Sequence, residues 1–466
     1  MKHFFSLGIL KRMVCLALTV FLTTTTMAQY SWEKTISLTN EERQLVEQNS
    51  DFAFNLFRKV RGTENYVLSP LSITYALGML NNGAEGITRE EICQVLAGGR
   101  TEGYADVATM NDFCRKMLTE SALLDEKTRV TIANNIYFNG DRKMIALKSA
   151  FKDAAATYYD ATPTVLSFSD EASLGIINQW VTDQTDGMIH DLLTAEDMQD
   201  PNLVSFLLNA ICFKGAWSSP FEAQYTQLKT FGEDAKHTAM MMHQNNQFMY
   251  TENDLYQCVI LPYGNKSYQM NVFLPREGKT LDDLLADLNG KNWKNSDYYG
   301  NCEVDLSLPR IDTDTKQDLE DVMASMGMEN AFEDGHGFHE FCYLGDNEAN
   351  SDVCWISIIR QKAHLKLDEN GTEAAAATAI GVYDKACYPS VAFNANRPFL
   401  YIISERSTGC IFFMGQYMGD VPTGIEKQTL SPLPLKGGGL YNLQGQRMNS
   451  LQKGINIIEG KKVWMK

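Results

Sequence analysis

Gly371-Thr372-Glu373-Ala374-Ala375-Ala376-Ala377-Thr378 decides how the rest of the chain is read. It follows Lys366-Leu367-Asp368-Glu369, the end of a predicted strand that runs into an exposed loop. Gly371 permits backbone angles that other residues resist, so the chain can hinge there. The residues after it are small and, Glu373 apart, uncharged. Two conformations compete. Intrinsic propensity favours an alanine-rich helix with Thr372 as its N-cap. In a strand, alternate side chains face opposite sides. Thr372, Ala374, Ala376 and Thr378 then share one face, and Glu373, Ala375 and Ala377 the other. The first set suits burial between packed neighbours. Glu373 falls on the set that can stay in solvent, which matters because burying an unpaired charge is costly.

Outward from this segment the chain predicts helices first and strands later. Thr39-Asn40-Glu41-Glu42 has a capping-box pattern. Leu45, Phe52, Ala53, Leu56, Phe57 and Val60 then recur at helical spacing. Ser69-Pro70 opens a second helix over Leu71 to Leu80, ended by Gly83 and Gly86, and a third covers Arg89 to Leu96. Gln257 to Leu261 and Gln269 to Leu274 read as strands, and Thr315 to Met326 as a helix. The class is therefore α+β and not an alternating βαβ chain. A boundary falls near Pro422. Residues 423–439 have linker composition, with Ser431-Pro432-Leu433-Pro434 and Gly437-Gly438-Gly439. Residues 440–466 are strand-like, with turns at Gln444-Gly445 and Lys453-Gly454.

The 466 residues are 44% hydrophobic and 21% charged, with a formal net charge of −17. Such acidity argues against nucleic acid and anionic membrane surfaces as partners. Residues 1–28 read as a signal peptide: basic Lys2, His3, Lys11 and Arg12, an apolar run from Met13 to Leu22, and Thr26-Met27-Ala28 before Gln29. The run is too short to span a bilayer, so export is expected without a membrane span or lipid attachment at Cys15. Of ten cysteines, nine lie beyond the leader, an odd number that leaves at least one unpaired within the chain. No C-x-x-C occurs, and His336, His339 and Glu340 lack the H-E-x-x-H order, so neither a metal nor another cofactor is expected. There is also no G-x-S-x-G nucleophile elbow, which speaks against a hydrolase.

Several blocks are more specific. They are Asn65-Tyr66-Val67-Leu68-Ser69-Pro70-Leu71-Ser72-Ile73; Ile177-Asn178-Gln179-Trp180-Val181 with Thr185-Asp186-Gly187-Met188-Ile189; Leu208 to Phe221, containing Asn209 and Trp217; Leu308-Pro309-Arg310 with Met326-Gly327-Met328; Phe393-Asn394-Ala395-Asn396-Arg397-Pro398-Phe399; and Phe413-Met414-Gly415. In this order, over residues 29–422, they resemble the serpin family. The resemblance implies a serpin fold, with helices packed on large mixed β-sheets and an exposed reactive-centre loop. It also reverses the helical preference of the alanine run.

The same resemblance implies that the chain inhibits serine proteases, with cysteine proteases as a second target class, and that it catalyses nothing itself. A protease would attack the loop and form an acyl-enzyme, and the severed loop would then insert as a new strand. Glu369 and Gly371 to Thr378 form the implied hinge. Ser69, Ser72, Asn209, Trp217 and Gln361 form the implied breach and shutter around the sheet. Gln361 stands where many animal members carry a histidine, so a shutter that is insensitive to pH at that point is expected. Carrying the family's spacing onto this chain implies attack at Lys385-Ala386, which suits trypsin-like pockets. Tyr383 would redirect the inhibitor to chymotrypsin-like enzymes, and Ala386 or Cys387 to elastase-like ones. The partner would be the target protease, bound covalently to a monomer. The alternative is a non-inhibitory serpin-fold binding protein, a class in which hinge residues are often bulky or charged. The tail from Leu440 loosely resembles C-terminal sorting modules of exported proteins in some Gram-negative bacteria, pointing to the cell surface or medium.

Overall fold

The computed structural model describes residues 34–141, 145–200, 203–232, 237–294, 300–332, 338–344, 351–372 and 388–420, and within the tail residues 440–441, 447–448, 454–458 and 461–465. The helices are α1 (Asn40–Val60), α2 (Pro70–Asn81), α3 (Gly86–Leu96), α4 (Val107–Ser121), α5 (Ser149–Tyr159), α6 (Glu171–Gln184), α7 (Leu281–Asp287) and α8 (Glu320–Ser325). Local chemistry explains the first two. Thr39 and Glu42 form the reciprocal capping box at α1, and the α1 face carrying Leu45, Phe52, Ala53, Leu56 and Phe57 is buried. Ser69 caps α2, and Pro70 occupies its first turn. Every residue of α2 is buried. It is buried on all sides because it packs against strands of two sheets and against neighbouring helices.

The strands of the body are β1 (Tyr66–Leu68), β2 (Thr128–Asn139), β3 (Ile145–Leu147), β4 (Thr164–Leu166), β5 (Ser205–Ala216), β6 (Gln227–Phe231), β7 (His237–Glu252), β8 (Tyr256–Tyr263), β9 (Tyr268–Pro275), β10 (Gly300–Pro309), β11 (Ile311–Asp318), β12 (Phe338–Leu344), β13 (Ser351–Cys354), β14 (Ile358–Asp368), β15 (Gly371–Thr372), β16 (Ser390–Asn394), β17 (Phe399–Glu405) and β18 (Ile411–Tyr417). A nine-stranded sheet runs β1-β18-β17-β9-β8-β7-β10-β16, with β6 beside β7. A six-stranded sheet runs β11-β14-β15-β5-β2-β4, and β14 also pairs directly with β5. Strands β13, β12 and β3 make a small third sheet. One large apolar core lies between the main sheets and α1, α2, α4 and α5. A second, smaller core lies between α6 and the outer face of the six-stranded sheet. The fold is α+β with large mixed sheets, as the sequence indicates.

Two boundaries differ from the sequence expectation. Thr315 to Asp318, expected as helix, continue β11; the helix begins only at Glu320. Ile311 and Thr313 point inward between exposed Asp312 and Asp314, and the strand pairs with β14 from Ile311↔Leu367 to Asp318↔Arg360. That ladder overrides a local helical preference. Gly86, expected to end a helix, opens α3 instead, at φ 53°.

The tail strands β19 (Leu440–Tyr441), β20 (Arg447–Met448), β21 (Gly454–Ile458) and β22 (Lys461–Met465) form their own antiparallel sheet in the order β20-β19-β21-β22. The body closes at Asp420, which bridges to Thr238. Removing residues 423–466 is therefore expected to leave the thermal midpoint of the body unchanged. A fall of more than about 4 °C, roughly 1–2 kcal/mol for a domain of this size, would show that the tail supports it.

Candidate functional site

The site is the top of the six-stranded sheet, where β14 ends. The chain turns at Glu369-Asn370 and returns as β15, two residues wedged between β14 and β5. Gly371 pairs with Asp368 on one side and Ala216 on the other; Thr372 pairs with Leu367 and Gly215. Gly371 has φ 142°, and a Cβ there would lie 2.1 Å from the Gly215 carbonyl oxygen. Only glycine allows this approach of three strands. Thr372 is fully buried, and its hydroxyl lies 2.8 Å from that of Tyr263.

The turn is held by backbone and side chain together. Tyr263 stacks on Trp217, with ring centroids 4.3 Å apart and planes 15° apart. The Trp217 indole N–H donates to the Asp368 carbonyl (3.0 Å), and its backbone N–H donates to Asn370 (2.8 Å). Phe221 N–H donates to the Glu369 carbonyl (2.9 Å). The buried Glu369 carboxylate accepts from Arg310 Nε (3.0 and 3.1 Å), from Arg310 Nη2 (2.7 Å) and from the Thr226 hydroxyl. Burial pushes this carboxyl up, but the hydrogen bonds from Arg310 and Thr226 outweigh it and hold it below the ordinary glutamate range.

Further down the sheet, β14 and β5 pair with each other directly. Residues Ile358 to Ala363 of β14 pair in parallel with Phe206 to Ile211 of β5, six residue pairs in register. An amide cluster on the inner face bridges this seam. Gln361 Nε2 donates to Asn209 Oδ1 (2.6 Å) and to the Ser69 carbonyl (3.0 Å), and its Oε1 accepts from Ser69 N–H (3.1 Å). Asn209 donates to the Ser72 carbonyl (3.0 Å) and to Asn134. Ser69 also accepts from Ser72 N–H at the start of α2 (3.2 Å). Ser72 thus contributes backbone and not hydroxyl to the cluster. Every side chain in it is neutral at physiological pH.

The structure therefore brings Glu369, Gly371, Thr372 and Trp217 together at the top of the six-stranded sheet, and Ser69, Ser72, Asn209 and Gln361 beneath the seam. Glu373, Ala374 to Ala377, Thr378, Tyr383, Lys385, Ala386 and Cys387 lie outside the described residues, as does His336. His339 sits on β12, 3.7 Å from Glu85. Among the described residues no group of three or more His, Cys, Asp or Glu side chains has an arrangement that could hold a metal. The described cysteines are buried. Sequence reasoning missed Thr226, Tyr263 and Asn134 altogether. Arg310 stood in the Leu308-Pro309-Arg310 block, but nothing local marked it as the partner of Glu369.

Comparison with known proteins bears on this site. The family model described as "Serpin (serine protease inhibitor)" matches residues 47–419. The chain is 30% identical to Serpin B6 of Macaca fascicularis over 80% of its own length and 98% of that protein, and 31% identical to human Serpin B8 over 80% and 98%. Among solved structures it is similar to the thermophilic serpin tengpin in its native state (TM-score 0.71, 24% identity, 83% of this chain and 96% of that one), a likeness of fold alone. It is also similar to thyroxine-binding globulin in complex with thyroxine (TM-score 0.68, 27% identity, 80% and 98%).

The Glu369–Arg310 contact yields a signed pH dependence. Glu369 titrates lower when folded, so its contribution is full above the unfolded value, about 4.3, and fades as pH falls toward the folded one. Arg310→Ala should cost about 1–2 kcal/mol at pH 7, the value of a charged hydrogen bond discounted for the guanidinium's exposure. The gap in urea midpoint between wild type and variant should narrow toward pH 3. A gap independent of pH would contradict the assignment.

Proposed function

The chain belongs to the serpin family, and we propose that it inhibits serine proteases by letting its cleaved loop enter the six-stranded sheet. Cysteine proteases are the second target class. The observation that carries this reading is β15: the hinge has already started down the gap between β14 and β5, with its first buried side chain in place. Four alanines follow, small enough to continue.

Extending the two observed registers gives the inserted strand. Glu373 falls opposite Lys366 on β14 and Lys214 on β5, on the outer face, where a carboxylate meets two cations. Ala374 and Ala376 fall on the inner face, and Thr378 falls between Gln361 and Asn209. Its hydroxyl can replace the amide contact that insertion severs. The exchange favours insertion. One parallel ladder of six residue pairs is lost and two antiparallel ladders form. Each added backbone hydrogen bond contributes about 0.5–1.5 kcal/mol. A protease acylated at Lys385 would be carried along. Its oxyanion hole would be distorted, and because a single donor of that hole is worth roughly a hundredfold or more in rate, deacylation would stall.

Trypsin-like enzymes are the expected targets if Lys385-Ala386 is the bond, acting on a monomer that forms a covalent acyl complex. The leader and the tail together support export to the cell surface or medium. Protein recovered there should begin at Gln29. The likeness to thyroxine-binding globulin supports a second reading, a non-inhibitory binding protein.

Incubation with trypsin-like, chymotrypsin-like and elastase-like proteases separates the two. Inhibition predicts a complex that survives denaturing electrophoresis and a released peptide beginning at Ala386; cleavage by all three without complex would sink it. Thr372→Arg should put a charge on the buried face, slow insertion and convert inhibitor into substrate. An unchanged stoichiometry of inhibition would show that the parity is wrong.

A further inference from the structure

A cavity of about 580 Å3 lies on one face of the nine-stranded sheet. Phe248 and Met249 of β7, Ile260 of β8 and Trp293, which follows α7, supply its apolar wall. Ser404 of β17 lines it too, and the register sets Ser404 beside Gln269 and Ile260 beside Met249. Trp293 is 1% exposed and Ser404 0%. Neither Trp293 Nε1 nor the Ser404 hydroxyl has a hydrogen-bond partner among the described residues. Unpaired buried polar atoms are rare in native proteins, so these two call for a partner. Lys266, Lys294 and Arg406 also line the cavity, and no Asp or Glu does. Glu405 is close in sequence, but its buried carboxylate is taken by its own turn. It accepts from the backbone N–H of Ser407 (2.8 Å) and Thr408 (2.7 Å), and from their hydroxyls (2.7 and 2.5 Å). In a chain of net charge −17, three cations around one cavity without an acid call for an occupant with a carboxylate. The apolar wall with its unpaired indole N–H and hydroxyl suits an aromatic group with a polar edge.

The chain itself carries such an occupant at the rim. The Lys34 carbonyl accepts from the Ser267 hydroxyl (3.2 Å), and Ile36 N–H donates to the Ser407 hydroxyl (2.9 Å). Ser407 lines the cavity, and Ser267 follows Lys266, which also lines it. Arg406 N–H donates to the Ser267 carbonyl (2.8 Å), so the two anchor points are tied to each other. Immediately before Lys34 stands Gln29-Tyr30-Ser31-Trp32-Glu33. These five residues lie outside the described ones. Extended, they reach about 17 Å from the anchor, enough to cross the cavity. Tyr30 and Trp32 then share one side of the segment and Glu33 the other. With the two aromatic rings turned to the apolar wall, the Tyr30 hydroxyl and the Trp32 indole N–H can partner Trp293 and Ser404. Glu33 is left at the rim, where Lys266 and Arg406 are exposed.

We propose that residues 29–33 fill this cavity in the mature protein, so that the segment bared by removal of the leader is a plug for the body's own surface. The proposal is independent of inhibition and rests on the leader ending before Gln29, which N-terminal sequencing of the exported protein checks separately. The test uses the whole mature chain, produced to begin at Gln29. The probe is indole-3-acetate, an indole and a carboxylate in one small molecule, and its binding is followed by calorimetry. The wild type should bind it at least tenfold more weakly than Trp32→Ala, in which the plug is withdrawn. Glu33→Gln should raise affinity in the same direction, by less. Lys266→Gln added to Trp32→Ala should weaken the probe severalfold, because the rim cation that meets its carboxylate is gone. Equal affinity in the wild type and Trp32→Ala, no binding by either included, would overturn the plug. An affinity unchanged by Lys266→Gln would place the probe elsewhere and overturn it as well.

Discussion

Six residue pairs between β14 and β5 hold this molecule in its closed form. They are parallel, in the middle of a sheet, and already split at one end. Both strands are also paired on their far sides, β14 with β11 and β5 with β2, so the seam lies inside a continuous ladder. A strand that enters from the top would nevertheless find a partner on each side. The closed sheet is therefore stable against small fluctuations while remaining poorer in ladder contacts than the sheet it can become. The features described around it act on this one joint.

The wedge at the top shows how the joint stays ready. Glu369 is fixed by Arg310 and Thr226, so the turn cannot drift. Gly371 brings its backbone so near Gly215 that a Cβ would collide. Thr372 buries its hydroxyl against Tyr263. Ordering these residues in the closed molecule means that their conformational entropy is already lost there. On the proposed mechanism, insertion would then propagate from a formed end instead of nucleating in a closed sheet.

Much of this was legible in the chain. The capping box at Thr39, the proline-opened α2, and the alternation that buries Thr372 all follow from neighbours a few residues apart. The rest depended on contacts no local pattern carries. Glu369 meets Arg310 across 59 positions and Thr226 across 143, and Thr372 meets Tyr263 across 109. Thr315 to Asp318 failed for the same reason. Their pairing with β14 is tertiary, and residue propensities there read as helix. Gln361 is an intermediate case. The resemblance grouped it with Asn209 and Ser69, but its actual contacts, to the Asn209 amide and the Ser69 backbone, emerge only once α2 is packed behind the sheet.

The two faces of the seam have opposite chemistry, and this bears on how it opens. Beneath it, neutral amides bridge the strands, and a hydroxyl of the entering strand can replace them. On the outer face, Asp197 of the segment after α6 lies 2.6 Å from Arg360, which Asp318 of β11 also holds. A buried ion pair with no second partner would leave an uncompensated charge at the moment of opening, at a cost of about 3–5 kcal/mol. On the proposed mechanism that would slow insertion, which has to outrun deacylation. An unbridged seam would have the opposite fault, because strand exchange could begin without cleavage. Contacts that hold while closed but leave nothing unpaired when broken meet both demands, which is why Arg360 having two carboxylates matters more than the strength of either contact.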